Sequence, residues 1–208
     1  MQHRDRARTR LDPEVRRGQI VEAAVQVFGR ADPAEVTFEQ IAEAAGVSRA
    51  LVYNYFGDRG GLLAAAYLHT FEQLNDQLNE SIDRHAPPDD RLRAIIRGYL
   101  RFAVEHAETW RLLQLTAAVN HPAVQSARKC HMERLARAWG AEGPEGRTLA
   151  YGVVGLLESA TVDWLRDRET DDERLGDLIF DLLWTGLSSL ERYGIALPRY
   201  RPRESVPT

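Results

Sequence analysis

The stretch from Thr37 to Phe56, TFEQIAEAAGVSRALVYNYF, limits what this chain can fold into more than any other part of it. Thr37 and Gln40 stand three apart, as a capping box needs. The hydroxyl can accept from the Gln40 backbone, and the amide can reach back to the Thr37 backbone. Ile41, Ala42 and Ala45 recur at helical spacing, and Gly46 can then adopt a left-handed backbone that ends the helix. Ser48 is a fresh N-cap, followed by Leu51, Val52 and Tyr55. A small residue at Ala42, a glycine turn and a buried aliphatic at Val52 are the spacing of a helix-turn-helix, whose second helix enters the major groove of DNA.

The rest of the chain reads as helices around that element. Asp12-Pro13-Glu14 opens a helix with the stripe Ile20, Ala24, Val27 and Phe28, stopping near Arg30. Gly57-Asp58-Arg59-Gly60-Gly61 reads as a break, after which Leu63, Tyr67, Phe71 or Leu74, Leu78 and Ile82 step along one face of a long helix. The Pro87-Pro88 segment interrupts the chain. Further helical faces follow, through Leu92 to His106, Trp110 to Ala117, and about Ala123 to Trp139, with a loop over Ala141–Gly146. No segment alternates with period two, so the fold class is all-α. The last two helices, about Arg147–Arg166 and Asp172–Tyr193, carry apolar residues around much of their circumference. That pattern fits either a central core or a dimer interface in which the pair and its symmetry mate form a four-helix bundle. The interface reading takes Val154, Leu157, Thr161, Leu165, Leu183, Trp184 and Leu187 as the contact face.

Composition narrows the setting. The chain has 44% apolar and 28% charged residues, a globular balance, and one cysteine, Cys130, which rules out an internal disulfide. No apolar run approaches the roughly 20 residues of a membrane span, and no secretory signal opens the chain. A cytoplasmic protein with no membrane partner is the expectation. The net charge is −4, yet residues 1–30 hold seven arginines against four acidic residues, an excess of +3 that leaves −7 on the remainder. One basic end can touch phosphate while the body does something else; equally, residues 1–12 can be a disordered, solubilising arm.

Over roughly Arg16–Leu63 the chain resembles the TetR family of transcriptional repressors. A helix ending in Phe28 is followed by IAxxAGVS and VYxYF at the family's spacing. The likeness is looser beyond, resting on helix number and on ESATVDWLRD before an acidic loop and a final helix. The resemblance implies an N-terminal three-helix head (13–60) and a C-terminal helical body for ligand binding and dimerisation (61–208). It also implies a homodimer that binds a palindromic double-stranded DNA operator and is released by a small-molecule effector, with no cofactor. By the same resemblance, Tyr53, Tyr55 and Arg59 hold phosphate.

Position in the motif suggests the other contacts. Arg49 can pair its fork with guanine O6 and N7, and Ala50 offers a methyl to thymine. Ser48 can cap, contact DNA, or both; Asn54 carries a polar tip; Thr37 sits at a helix N-terminus that can meet phosphate. Glu39 stands where relatives often place a base, so it either accepts from cytosine N4 or only complements the helix dipole. Gly60-Gly61 replaces a charged pair, which points to a looser joint between head and body.

In the body, an aromatic pocket with a few polar groups is expected from Tyr99, Phe102, His106, Trp110, Gln114, Tyr151 and Glu158; the plain alternative for each is a satisfied core residue. His106, Trp110 and Gln114 share a face if their helix is continuous and meet at a corner if it breaks. His121, Cys130 and His131 make no metal site, because Cys130 and His131 are adjacent and diverge by about 100° on a helix. Catalytic and nucleotide-binding motifs are missing, so no enzyme is expected. The rival to a DNA-binding regulator is a helical small-molecule carrier or adaptor that has lost specific DNA reading.

Overall fold

Among the described residues ten helices follow one another: α1 Pro13–Arg30, α2 Phe38–Ala44, α3 Arg49–Phe56, α4 Arg59–Ser81, α5 Pro88–Glu105, α6 Ala107–Leu112, α7 Thr116–Val119, α8 Pro122–Ala138, α9 Gly143–Asp167 and α10 Asp172–Ser188. The computed structural model describes residues 12–83, 85–139, 141 and 143–189, and no strand occurs among them. The arm expected over 1–12 lies almost wholly outside the described residues, as do Leu190 and Tyr193 of the last helix.

The head is made by α1–α3 against the start of α4. Asp12 caps α1 by accepting from Glu14 N at 2.8 Å. The capping box forms as its spacing demands, with Gln40 Oε1 accepting from Thr37 N at 2.8 Å and Thr37 Oγ1 accepting from Gln40 N at 3.3 Å. Gly46 takes φ +63° in the turn, and Ser48 Oγ accepts from Leu51 N to start α3. Ile20, Ala24, Phe28, Ile41, Ala42 and Val52 are all buried where the helices cross.

Gly60 and Gly61 do not form a break. Asp58 is the N-cap of α4 and accepts from Gly61 N at 2.8 Å, so both glycines lie in its first turn. A Cβ on Gly61 would sit 2.5 Å from the Phe56 carbonyl oxygen. The glycine therefore makes the α3–α4 corner tight, and the looser joint expected from its sequence is corrected.

Head and body share one continuous hydrophobic core, running from Ile20 through Tyr67, Tyr99 and Trp110 to Leu183. A short helix joins them. The chain leaves α5 at His106 (φ −120°, ψ 40°), so α6 starts in a new direction and packs on α1. A Cβ on Gly29 would meet the Glu108 carbonyl oxygen at 2.7 Å, and Arg30 Nε bonds Glu108 Oε2 at 2.8 Å.

Within the body α9 packs chiefly on α8, and α10 on α5. That packing corrects part of the expected contact face. Leu157, Thr161 and Leu183 are buried inside a single chain, and Thr161 Oγ1 donates to the Leu157 carbonyl at 2.8 Å. Val154 and Leu157 line an internal cavity. Leu165 is half-buried against the core, Trp184 is stacked on Phe180 at 5.8 Å, and the Leu187 side chain is outside the described residues. Among the described side chains of α10, the large apolar ones exposed are Leu178 (49%) and Leu182 (62%). A helix apolar nearly all round cannot declare by periodicity which stripe its own domain covers.

Candidate nucleic-acid interface and internal cavity

The α2–α3 unit presents Thr37, Ser48, Arg49, Ala50, Tyr53 and Asn54 to solvent, with Arg59 exposed at the start of α4. Tyr55 is half-buried, its ring 6.2 Å from that of Phe56. Tyr53 is 49% exposed, and its ring stands edge-on to buried Phe38 at 4.6 Å, which fixes the ring and leaves the hydroxyl free to point outward. Seven of the eight expected residues thus fall on the α2–α3 unit and Arg59 follows on α4, all of them open except Tyr55, which is partly so.

Two of the cations are already engaged. Arg49 Nη1 donates to Glu39 Oε1 at 2.8 Å, and its guanidinium lies 5.9 Å from the Tyr53 ring centroid. Glu39, in the first turn of α2, therefore holds the arginine at the head of α3, a third role beside the two weighed from sequence. Arg59 Nη1 donates to the Ala34 carbonyl of the α1–α2 loop. The guanidinium of Arg17 lies 5.3 Å from the Phe56 ring, adding a cation behind α3.

The residues expected around a pocket separate into four groups. Tyr99, at 5% exposure, and Glu158 line a partly open cavity of about 130 Å³ between α4, α5, α8 and α9. Phe102 is buried, but it and exposed His106 line a different, polar depression where α1, α4 and α5 meet. Tyr151 is 40% exposed and outside the cavity, so its pocket role is corrected. Trp110 is buried beside Tyr99 and Gln114 is half-buried. The side-chain nitrogens of both, Nε1 and Nε2, lack an acceptor. The indole lies close enough to lower the Tyr99 pKa somewhat, but short of hydrogen-bond geometry. The helix breaks at His106, but His106 lines the polar depression while Trp110 is buried beside Tyr99, so the three do not gather at one pocket.

The arginine that holds two of the cavity's lining residues, Tyr67 and Glu158, from behind was missed from sequence. Arg128 on α8 forks onto Glu158 on α9, with Nη1–Oε1 and Nη2–Oε2 both 3.1 Å, and Nη1 also donates to the Tyr67 hydroxyl at 2.7 Å. The paired side chains are 13% and 22% exposed. Burial opposes the Arg128 charge, yet Glu158 and Tyr67 outweigh it and raise its pKa. Burial chiefly, and then the Glu158 charge, raise the Tyr99 phenol well above its ordinary value. Burial raises Tyr67 as well, against the pull of Arg128. His131 forms part of the wall, edge-on to Phe71 at 5.0 Å; burial, then Arg134 and Arg128, lower its pKa to about 4. An arginine amid the polar residues of α8 gives no periodic signal, so only the crossing of α8 and α9 reveals it.

No helix among the described residues is long and apolar enough to cross a membrane. A capped two-helix unit with an open arginine and tyrosine, carried on a helical body with an internal cavity, defines a helix-turn-helix DNA-binding regulator. The chain belongs to the TetR family of transcriptional regulators. Residues 20–66 match the model of bacterial regulatory proteins of the tetR family, and residues 88–186 match the tetracyclin repressor-like C-terminal domain. The transcriptional regulator BetI of Brucella anthropi is 36% identical over 99 residues, 46% of this chain and 51% of that protein. The match thus spans about half the length of such curated relatives. The transcriptional activator FasR of Mycolicibacterium smegmatis is 26% identical over 193 residues, 88% of either chain. A TetR-like transcriptional regulator from Rhodococcus sp. RHA1 superposes with a TM-score of 0.63 at 28% identity, covering 86% of this chain and 99% of that one.

Proposed function

We propose that the chain is a repressor that binds a palindromic operator as a homodimer and releases it when a small molecule fills the body's cavity. The observation that carries this reading is the path between the two sites. Trp110 faces the cavity's Tyr99 from α6, while Glu108 on the same short helix holds Arg30 and abuts Gly29 on α1 of the head. A ligand that moves Tyr99 or Trp110 therefore moves the segment on which the head rests. The head (13–60) and the body (61–208) divide in the first turn of α4, at the tight Gly61 corner.

On DNA, α3 lies in the major groove with Arg49 on a guanine edge and Ala50 against a thymine methyl. Thr37, Ser48, Tyr53, Asn54, Tyr55 and Arg59 hold the backbone, Arg59 after leaving the Ala34 carbonyl. Two heads then span half-sites roughly 34–36 Å apart, or a multiple of that. The dimer uses α10, whose exposed Leu178 and Leu182 continue the half-buried Leu175 and Trp184.

A genomic binding-site selection followed by gel-shift at stated salt tests the reading. The expected result is a two-fold symmetric site, bound by wild type with Arg49→Ala relaxing one base position per half-site. Failure to enrich any site sinks the DNA-binding reading, and transcription that rises with the protein bound converts the repressor into an activator.

A further inference from the structure

The Arg128–Glu158 pair is asymmetric in its access to water. Arg128 is held on three sides, by both Glu158 oxygens and by the Tyr67 hydroxyl, and is 13% exposed. Glu158 lines the internal cavity and also a surface groove that holds Gln114, Ser159 and Asp163. The carboxylate borders both spaces, whereas Arg128 lies behind it and lines neither. The surroundings are also rich in donors. Trp110 Nε1 and Gln114 Nε2 lack acceptors, and among the described residues Glu158 is the carboxylate that pairs with Arg128.

We propose that the cavity binds a compact monocarboxylate, one ring or a short alkyl chain bearing a single carboxyl, which takes Arg128 from Glu158 as Glu158 swings into the surface groove. The exchange replaces one carboxylate by another on a buried guanidinium, so no charge is left without a partner. An amine makes the opposite exchange. It would need Glu158 for itself and strand Arg128 in the interior. An uncharged ester can fill the cavity but cannot match the charge of the ion pair. Size sets the second limit. At about 130 Å³ the cavity is close to the roughly 150 Å³ apolar site that accommodates benzene, so a single ring or a few carbons fit without rearrangement. Phe71, Leu78, Ile95 and Leu135 supply apolar contact, and His131 adds an imidazole that is neutral at pH 7. Asn75 spends its amide on the Phe71 carbonyl.

The inference rests on the proposed effector role of this cavity, and the test separates the two. Full-length protein at pH 7.5 is titrated calorimetrically with 4-ethylbenzoate, its methyl ester and 4-ethylbenzylamine. The acid is expected to bind at least tenfold tighter than the ester, with no saturable amine binding. Glu158→Gln removes the competing charge and should tighten the acid about tenfold. Arg128→Gln should abolish the preference for acid over ester. Should Arg128→Gln fail to fold, as its melting curve will show, the ligand series on wild type and on Glu158→Gln still decides. Equal or better binding of ester or amine overturns the proposal, as does weaker acid binding by Glu158→Gln or no binding of the acid at all. The same preparations are run in gel-shift. Acid binding without any operator overturns the regulator reading alone, whereas an operator complex together with an ester or amine preference overturns only the ligand class.

Discussion

Replacing Glu39 with glutamine tests whether the carboxylate in the first turn of α2 sets the direction of Arg49. The two side chains meet at 2.8 Å but are 67% and 56% exposed, so the pair contributes only about 0.2–1 kcal/mol to folding. The melting temperature of Glu39→Gln should hardly move. The effect on DNA should be larger and of two kinds. A bidentate arginine–guanine contact is worth about 1–3 kcal/mol of discrimination, and it needs the fork held in the plane of the base. If the anchor supplies a third of that, the loss is about 0.3–1 kcal/mol, roughly a two- to fivefold fall in preference for guanine at that position. Removal of a negative charge near the phosphates should at the same time raise affinity for random duplex. Competition titrations of selected and scrambled duplexes at fixed salt measure both changes. Unchanged base preference, with both affinities moving together, would refute the positioning argument and leave Glu39 as a helix-dipole residue.

Three further outcomes follow from the packing. Gly61→Ala forces a Cβ to 2.5 Å from the Phe56 carbonyl and should destabilise the α3–α4 corner by about 1–3 kcal/mol in chemical denaturation, whereas Gly60→Ala, whose nearest atom is a side-chain oxygen at 3.3 Å, should be milder. His131 has a folded pKa of about 4 against an ordinary 6.5, so the unfolded chain binds more protons between these values. Its contribution is complete above about pH 6.5 and is lost as pH falls toward 4, at most roughly 3 kcal/mol; His131→Phe should flatten that part of the stability–pH curve. Leu182→Glu places a charge on the most exposed large apolar residue of α10 and should shift sedimentation from dimer to monomer with little loss of helicity by circular dichroism.

How much of this could be read from the residues depends on how local the physics is. The head was legible because each of its decisions lies within a few residues. Thr37 caps Gln40, Gly46 turns left-handed, Ser48 caps α3, and Ala42 and Val52 meet at a fixed offset. Periodicity likewise settled that the chain is all-α and that Tyr99, Phe102 and Trp110 face inward. The use of Gly61 was not legible, because its neighbour Phe56 closes on it only after Gly57 has turned the chain. Arg128 and Glu158 are 30 residues apart, the arginine on a polar stretch and the glutamate on a mostly apolar one, and only the packing of α8 on α9 makes them a buried pair.

The same division holds for the motif and its setting. By itself the sequence determined a two-helix reader with Arg49, Tyr53 and Asn54 on its open face, since capping and turn geometry act within one or two turns of helix. Tertiary structure alone decided that Glu39 reaches Arg49, that α6 ties Trp110 beside the cavity to Gly29 in the head, and that α10 turns Leu183 inward and Leu182 outward. Those are contacts between elements distant in sequence, fixed by which faces cover which, and no local pattern encodes them.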